Sequence, residues 1–103
     1  MRIEWLYEAQ REYLDLLQYY RVNSGVDYAR RFSEKLLETI ESLSRFPEMG
    51  VLRKDTALGK YGFRVLFIGN YACVYRIAEE AVLIYHLVDA RTNYIYIIFG
   101  TEA

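Results

Sequence analysis

Three arginines stand at positions where a cation can do chemistry. Arg64 opens a strand-like stretch, Arg76 lies near the end of the next one, and Arg91 follows the last one. A guanidinium binds phosphate or a carboxylate through paired hydrogen bonds. Arg91 is the strongest candidate, because residues just past a strand end are often functional, and Asp89 is placed to orient it. Arg64 and Arg76 can instead serve the fold, by pairing with a structural acid at residues 79–80.

A second basic group lies in the loop-like segment of residues 48–62, which contains Arg53, Lys54 and Lys60. These cations can contact nucleic acid or an acidic protein surface. A loop with solvated charges is the simpler explanation, because acidic residues are interspersed among the basic ones. The sequence leaves both interpretations open, and we treat this group, together with Arg76, as candidate binding residues.

The chain has a single histidine, His86, and a single cysteine, Cys73. A lone histidine invites a role as general base. The predicted strand pairing, however, places His86 in mid-strand beside Cys73, on an apolar face. We therefore expect a core histidine whose hydrogen bonds are satisfied within the fold. Since metal sites need several His, Cys or carboxylate ligands, we expect no metal site and no cofactor.

The composition predicts one folded domain over residues 1–103. Apolar residues make up 53% of the chain and charged residues 26%, which suits a single core of modest size. The net charge of −1 provides no global positive field for nonspecific binding of nucleic acid. A lone cysteine excludes an internal disulfide, and the sequence shows no secretory signal or membrane-spanning stretch. We expect a cytoplasmic protein.

The order of the periodicities limits the architecture. An apolar start at residues 1–6 favours a short strand. Steps of three and four between apolar positions predict helices over residues 6–22 and 26–45, with a break at Gly25. The second helix ends before Pro47. Three β-rich stretches joined by two-residue turns follow, over residues 63–68, 71–78 and 81–88. We predict an α+β fold in which an antiparallel helical hairpin packs on one face of a mainly antiparallel sheet.

Both faces of the predicted sheet are strongly apolar. With two-residue turns, the last residue of each strand pairs with the first residue of the next, and paired residues share a face. This register places His86 and Val88 on the face of Cys73, and Leu87 on the other. Two helices can cover only one face. The other must contact the C-terminal tail at residues 95–99 (a last strand or a docking tail), a second copy of the chain, or a partner.

A set of short motifs extends over nearly the whole chain in a fixed order. They are Ile3-Glu4-Trp5 with Glu8-Ala9, then Ala29, Phe32, Leu36, Leu43, Phe46, Pro47 and Gly50, then Gly62-Phe63-Arg64, Tyr71, Tyr75-Arg76-Ile77 and Val82-Leu83-Ile84, ending near Arg91. In this order they resemble the RelE/ParE superfamily of bacterial toxins from type II toxin–antitoxin modules. No single motif is specific, and the ordered set carries the resemblance.

The resemblance implies a growth-inhibiting toxin that a cognate antitoxin neutralises by wrapping it with a helix or an extended segment. It also implies one of two targets. RelE-like members enter the ribosome and cut messenger RNA without a metal, whereas ParE-like members inhibit DNA gyrase. Without its antitoxin, a toxin with a bare sheet face can form a homodimer.

For a RelE-like nuclease, the resemblance implies catalytic roles for Arg91, Arg64 and Tyr94, because RNA cleavage needs a base and a cation for the transition state. Val65 and Ala72, however, stand where the resemblance implies basic residues. These departures favour the ParE-like function, which needs no catalytic residue. A third possibility is an inert paralogue, a binding module that keeps the fold and has lost toxicity.

Overall fold

The first strand of the chain pairs with the last. β1 (Arg2–Trp5) lies parallel to β4 (Ala81–Asp89), while β2 (Phe63–Ile68), β3 (Tyr71–Ala78) and β4 form an antiparallel meander. The sheet order is β1-β4-β3-β2. The computed structural model describes residues 1–99. The observed strands match the predicted ranges to within one residue, and the predicted α+β fold is confirmed.

Two helices, α1 (Tyr7–Ser24) and α2 (Val26–Glu41), form the predicted hairpin. Gly25 separates them with a φ of +90°, a conformation that glycine adopts at little cost. A 3-10 turn, Ser42–Ser44, follows α2, so the α-helix itself ends earlier than predicted. Within residues 1–99, no helix combines the length and the hydropathy that crossing a membrane requires.

The helical hairpin buries one face of the sheet. The buried side chains Leu36 and Ile40 of α2, and Leu43 of the 3-10 turn, pack against β3 and β4. The strand residues of this core are Leu66, Cys73, Tyr75, Val82, Ile84 and Leu87. Burial of each large apolar side chain stabilises the fold by roughly 1.5–3 kcal/mol, so this layer is a main source of stability.

A β-bulge in β4 overturns part of the predicted register. The pairing of β3 with β4 shifts between Val74 and Tyr75, which leaves Tyr85 as an extra residue. Beyond Tyr85, the side chains of β4 lie on the faces opposite to the predicted ones, because the pleat has a period of two. Leu87 therefore packs beneath the helices and Val88 packs on the far face, so our prediction for both residues is wrong.

Two short helices pack on the far face of the sheet. α4 (Tyr94–Phe99) and the one-turn helix α3 (Ala57–Lys60) contribute to a second core there. Its buried members are Leu58, Phe63, Val65, Ala72 and Val74. Of the three expected occupants of this face, the structure shows the C-terminal tail, as a helix rather than a strand. The cover is incomplete, because Phe67 stays 54% exposed.

Candidate functional site

Arg91 lies directly after β4, where Asp89 holds it in place. Oδ1 of Asp89 accepts hydrogen bonds from the backbone N–H (2.9 Å) and from Nε (3.0 Å) of Arg91, and Oδ2 accepts one from Nη2 (2.7 Å). These bonds lower the pKa of Asp89 to about 2 and raise that of Arg91. The Arg91 side chain is 67% exposed. The guanidinium is thus oriented by Asp89, as the sequence suggested, and accessible to a partner.

Two tyrosines lie beside Arg91. Tyr20 is near the C-terminal end of α1, and Tyr71 is the first residue of β3. The hydroxyls of Tyr20 and Tyr71 are 2.6 Å apart, and Tyr71 pairs with Asp89 across the sheet. Together with Asp15 and other side chains, they line an open depression of about 530 Å³ beside Arg91. Burial, and then the hydrogen bond to Tyr20, raise the pKa of Tyr71. Tyr71 therefore stays protonated at neutral pH, and its hydroxyl shares a hydrogen bond with that of Tyr20.

His86 is satisfied within the fold, by an acid that sequence analysis missed. Its Nδ1 lies 3.2 and 3.3 Å from the carboxylate oxygens of Glu12 on α1. Glu12 also accepts a hydrogen bond from the backbone N–H of Leu87 at 3.1 Å. Glu12 thus fastens α1 to β4 beside the bulge. The available signal was its position three residues after Ala9 and four before Leu16, on the buried stripe of α1.

The prediction that His86 lies beside Cys73 is wrong. Cys73 pairs with Leu87, and His86 pairs with Val74, because the bulge at Tyr85 shifts the register. Cys73 is fully buried, and burial raises the pKa of its thiol to about 12. Since the thiolate is the reactive form of cysteine, Cys73 is a core residue and not a nucleophile.

Arg64 is engaged by the loop that follows the 3-10 turn. Its Nη1 donates hydrogen bonds to the backbone carbonyls of Gly50 (3.0 Å) and Glu48 (3.3 Å). Tyr75, its partner across the sheet, donates its hydroxyl hydrogen to the carbonyl of Pro47 at 2.7 Å and accepts the N–H of Gly50 at 2.8 Å. Arg64 and Tyr75 therefore hold this loop against the sheet together.

Arg76 lies on the far face and stacks on aromatic rings. Its guanidinium carbon is 5.6 Å from the ring centre of Phe63 and 5.7 Å from that of Tyr85, distances typical of cation–π contacts. These two rings pack edge to face, 4.8 Å apart. The sequence had left open an ion pair with residues 79–80, and the structure shows stacking.

The remaining basic candidates surround α3. Arg53 forms an exposed ion pair with Asp55 at 3.3 Å, and Lys60 is the last residue of α3. The hydroxyl of Thr56 accepts the N–H of Gly59 and donates to the carbonyl of Arg53 at 2.8 Å. These hydrogen bonds fix α3 and the basic segment before it as one unit.

Two glycines place the backbone of this region beside Arg53 and Arg76. A Cβ at Gly59 would lie 1.9 Å from the carbonyl oxygen of Arg53, and a Cβ at Gly62 would lie 3.6 Å from Cδ of Arg76. The segment from Arg53 to Gly62 thus contains α3 and ends beside the side chain of Arg76. We call the region formed by Arg53, Lys54, Lys60 and Arg76 the α3 surface.

The three residues proposed for catalysis are not brought together. β4 ends opposite Tyr71, beside Arg91, whereas Arg64 lies opposite Tyr75. Four residues of an extended strand separate these positions by about 13 Å. Tyr94 packs on the far face, where burial raises the pKa of its hydroxyl. Among the described residues, no three His, Cys, Asp or Glu side chains cluster as metal ligands do.

The sequence itself identifies the family. Residues 3–94 match the family model described as the ParE toxin of the type II toxin–antitoxin system parDE. The chain belongs to the ParE toxin family. This confirms the predicted membership of the RelE/ParE superfamily, and it makes the protein a type II toxin. The family also implies an antitoxin as its partner.

A solved structure shares the ParE-like fold. A chain described as "Chromosomal ParDE TA system from P. aeruginosa" superposes with a TM-score of 0.72 and 17% sequence identity, over 86% of this chain and 95% of that one. At this identity the similarity shows the fold alone. No curated protein matches the sequence.

Proposed function

We propose that this ParE-family toxin inhibits growth by binding DNA gyrase, and that a cognate antitoxin neutralises it in the cytoplasm. The observation that supports gyrase over messenger RNA is the dispersal of Arg64, Arg91 and Tyr94. Cutting RNA at a 2′-hydroxyl needs a base and a cation within hydrogen-bond reach of one phosphate. Arg64 is bonded to backbone carbonyls, about 13 Å along the sheet from Arg91.

Inhibition by binding needs accessible, fixed groups, and the chain offers two sets. Arg91 is oriented by Asp89 and exposed. The α3 surface presents four cations, of which Arg76 is fixed by stacking on two rings. The cations of the α3 surface bind an acidic protein surface, or the DNA that gyrase holds, and Arg91 offers oriented hydrogen-bond donors, without any catalytic residue.

The structure gives less support for self-association than the sequence did, because the sequence predicted a sheet face that the two long helices leave uncovered. Side chains of α4 pack on that face, and among the described residues Phe67 and Val51 line a pocket there and stay exposed (54% and 50%). A homodimer in the absence of antitoxin would use this small patch. Light scattering of the antitoxin-free protein at micromolar concentration tests it, and a monomer at all concentrations would contradict it.

The target is tested with two measurements on the same protein. We expect the purified toxin to inhibit the supercoiling of relaxed plasmid by gyrase. In cells, we expect induction to stop growth while the incorporation of labelled amino acids continues through the first minutes. Immediate loss of translation with cleaved messenger RNA would show a RelE-like nuclease instead. Harmless expression would show an inert paralogue.

Variants locate the contact with gyrase. We expect Arg91→Ala and the double variant Lys54→Ala/Lys60→Ala each to weaken inhibition of supercoiling. The matched control is Arg30→Ala, which removes an equally exposed arginine of α2 (66%) outside both candidate sets. Equal inhibition by all variants would exclude both sets as the contact.

A further inference from the structure

A groove lined by aromatic rings lies between α2 and the turn that joins β2 to β3. Its rings belong to Tyr20, Tyr28, Phe32 and Tyr71, and its volume is about 420 Å³. The ring of Phe32 lies 4.6 Å from that of Tyr20 and 5.6 Å from that of Tyr71. Tyr28 is 42% exposed. We call this feature the aromatic groove, and its size suits one or two side chains of a bound segment.

The rim of the aromatic groove is basic. Arg31 and Lys35, one helical turn apart on α2, both line it and both are exposed. None of the lining residues is acidic, and within residues 1–99 neither cation forms an ion pair. Unpaired cations beside exposed rings are complementary to a segment that carries both a carboxylate and an apolar side chain.

The far wall of the groove leads to Arg91. Tyr20 and Tyr71 line both the aromatic groove and the depression beside Arg91. That depression carries the opposite charge, because the carboxylates of Glu12, Asp15 and Asp89 face one guanidinium there. An acidic segment is therefore attracted at the α2 side of the two tyrosines and repelled on the Arg91 side.

We propose that the aromatic groove binds an acidic segment of the antitoxin, which places an apolar side chain among the rings and carboxylates beside Arg31 and Lys35. The assignment to the antitoxin rests on the proposed function. Because Tyr20 and Tyr71 also line the depression beside Arg91, a segment that extends past this pair with non-acidic residues covers a candidate contact for gyrase. The same geometry orders the charges of the segment, with its acids at the α2 end.

The test measures the affinity of the full-length antitoxin encoded beside the toxin. The variant Arg31→Glu/Lys35→Glu reverses both rim charges. Its control, Arg30→Glu/Arg45→Glu, changes the net charge equally at exposed positions outside the groove. We expect the Kd to rise about tenfold or more for the rim variant, with a weaker dependence on salt, and to change less than about twofold for the control. Tyr28→Ala should also raise the Kd, through loss of apolar contact.

Two outcomes overturn the proposal. One is an unchanged Kd for the rim variant and for Tyr28→Ala, with circular dichroism showing a native fold. The other is loss of gyrase inhibition by the rim variant while the antitoxin still binds normally, which would assign the groove to the target. If the wild-type toxin does not inhibit gyrase at all, the proposed target is wrong, but the Kd values still decide what the groove binds.

Discussion

The hydroxyl oxygen of Tyr75 lies 2.8 Å from the backbone nitrogen of Gly50, 25 residues earlier in the chain. The ring of Tyr75 is fully buried between the sheet and the helices. Its hydroxyl also donates to the carbonyl of Pro47 at 2.7 Å. The side chain of Tyr75 thus forms hydrogen bonds with both Pro47 and Gly50. The position of this loop therefore depends on a residue of β3.

Removal of this hydroxyl should destabilise the protein. In Tyr75→Phe, the N–H of Gly50 loses its partner in a buried position, which we expect to lower the free energy of unfolding by about 1–3 kcal/mol. Urea denaturation measures this change. Tyr61→Phe, in which the altered ring is 67% exposed, is the control and should leave stability unchanged. Equal urea midpoints for the two variants would mean that water replaces the Tyr75 hydroxyl without loss of stability.

A methyl group at Gly59 should disturb α3. The added Cβ would lie 1.9 Å from the carbonyl oxygen of Arg53, and backbone atoms cannot yield as a flexible side chain can. We expect Gly59→Ala to lower the free energy of unfolding by about 1–3 kcal/mol. It should also weaken gyrase inhibition, since Arg53 and Lys60 would move. Lys54→Ala changes a residue of the same segment without a clash and is the control for stability alone. Wild-type stability of Gly59→Ala would contradict the close approach of Gly59 to Arg53.

The long elements follow from local patterns, which is why the sequence predicts them. On α2, the apolar residues Ala29, Leu36 and Ile40 recur at helical spacing and are all buried. The two-residue turns fix the pairing of Ile68 with Tyr71 and of Ala78 with Ala81, as predicted. Element types and hairpin registers therefore depend on residues close together in the chain.

The missed features depend on distant contacts. The bulge at Tyr85 leaves no local signal, because one extra residue in a β-rich run looks like more strand. It nevertheless reverses the side on which every later residue of β4 lies, including Leu87. The partnership of Glu12 with His86 joins residues 74 positions apart. Arg64 was expected at a site, but its carbonyl acceptors come from a loop whose path the sequence does not specify.

The Glu12 carboxylate, whose side chain is 19% exposed, should contribute to stability through both of its partners. It accepts the N–H of Leu87 and contacts His86, so Glu12→Ala leaves two polar groups without their partner. We expect a loss of about 1–3 kcal/mol in the free energy of unfolding, and a smaller loss for Glu12→Gln, which keeps an acceptor. Glu8→Ala removes an exposed acid paired with Arg11 and serves as the control. If Glu12→Ala lowered the free energy of unfolding as little as Glu8→Ala, Glu12 would not be needed to hold α1 against β4 at the bulge.

Cys73 should be protected from thiol reagents. Burial raises its pKa from 9.0 to about 12, so the folded protein keeps the thiol protonated and covered. The unfolded chain ionises near the ordinary pKa, so this thiol's contribution to stability is lost as pH rises from about 9 toward 12. At pH 8, we expect iodoacetamide to label the native protein far more slowly than the protein in urea. Rapid labelling of the native protein would contradict the burial of Cys73.

Arg91 allows a pH measurement to be combined with a functional one. The folded pKa of Asp89, about 2, lies below its ordinary value of 3.8 because of Arg91. The ion pair therefore stabilises the fold above the ordinary pKa, and this contribution is lost as pH falls toward 2. In Arg91→Ala, we expect the NMR titration of Asp89 to move up toward 3.8, with unchanged helix content.

The same variant tests the role of the guanidinium in toxicity. If Arg91 contacts the target, Arg91→Ala should restore growth in cells that express the toxin, and Arg91→Lys should restore it in part, because lysine cannot form the paired hydrogen bonds of arginine. Asp89→Asn, which keeps the arginine and weakens its orientation, should reduce toxicity less than Arg91→Ala. Full toxicity of Arg91→Ala, together with a raised pKa of Asp89, would limit this ion pair to a structural role at the end of β4.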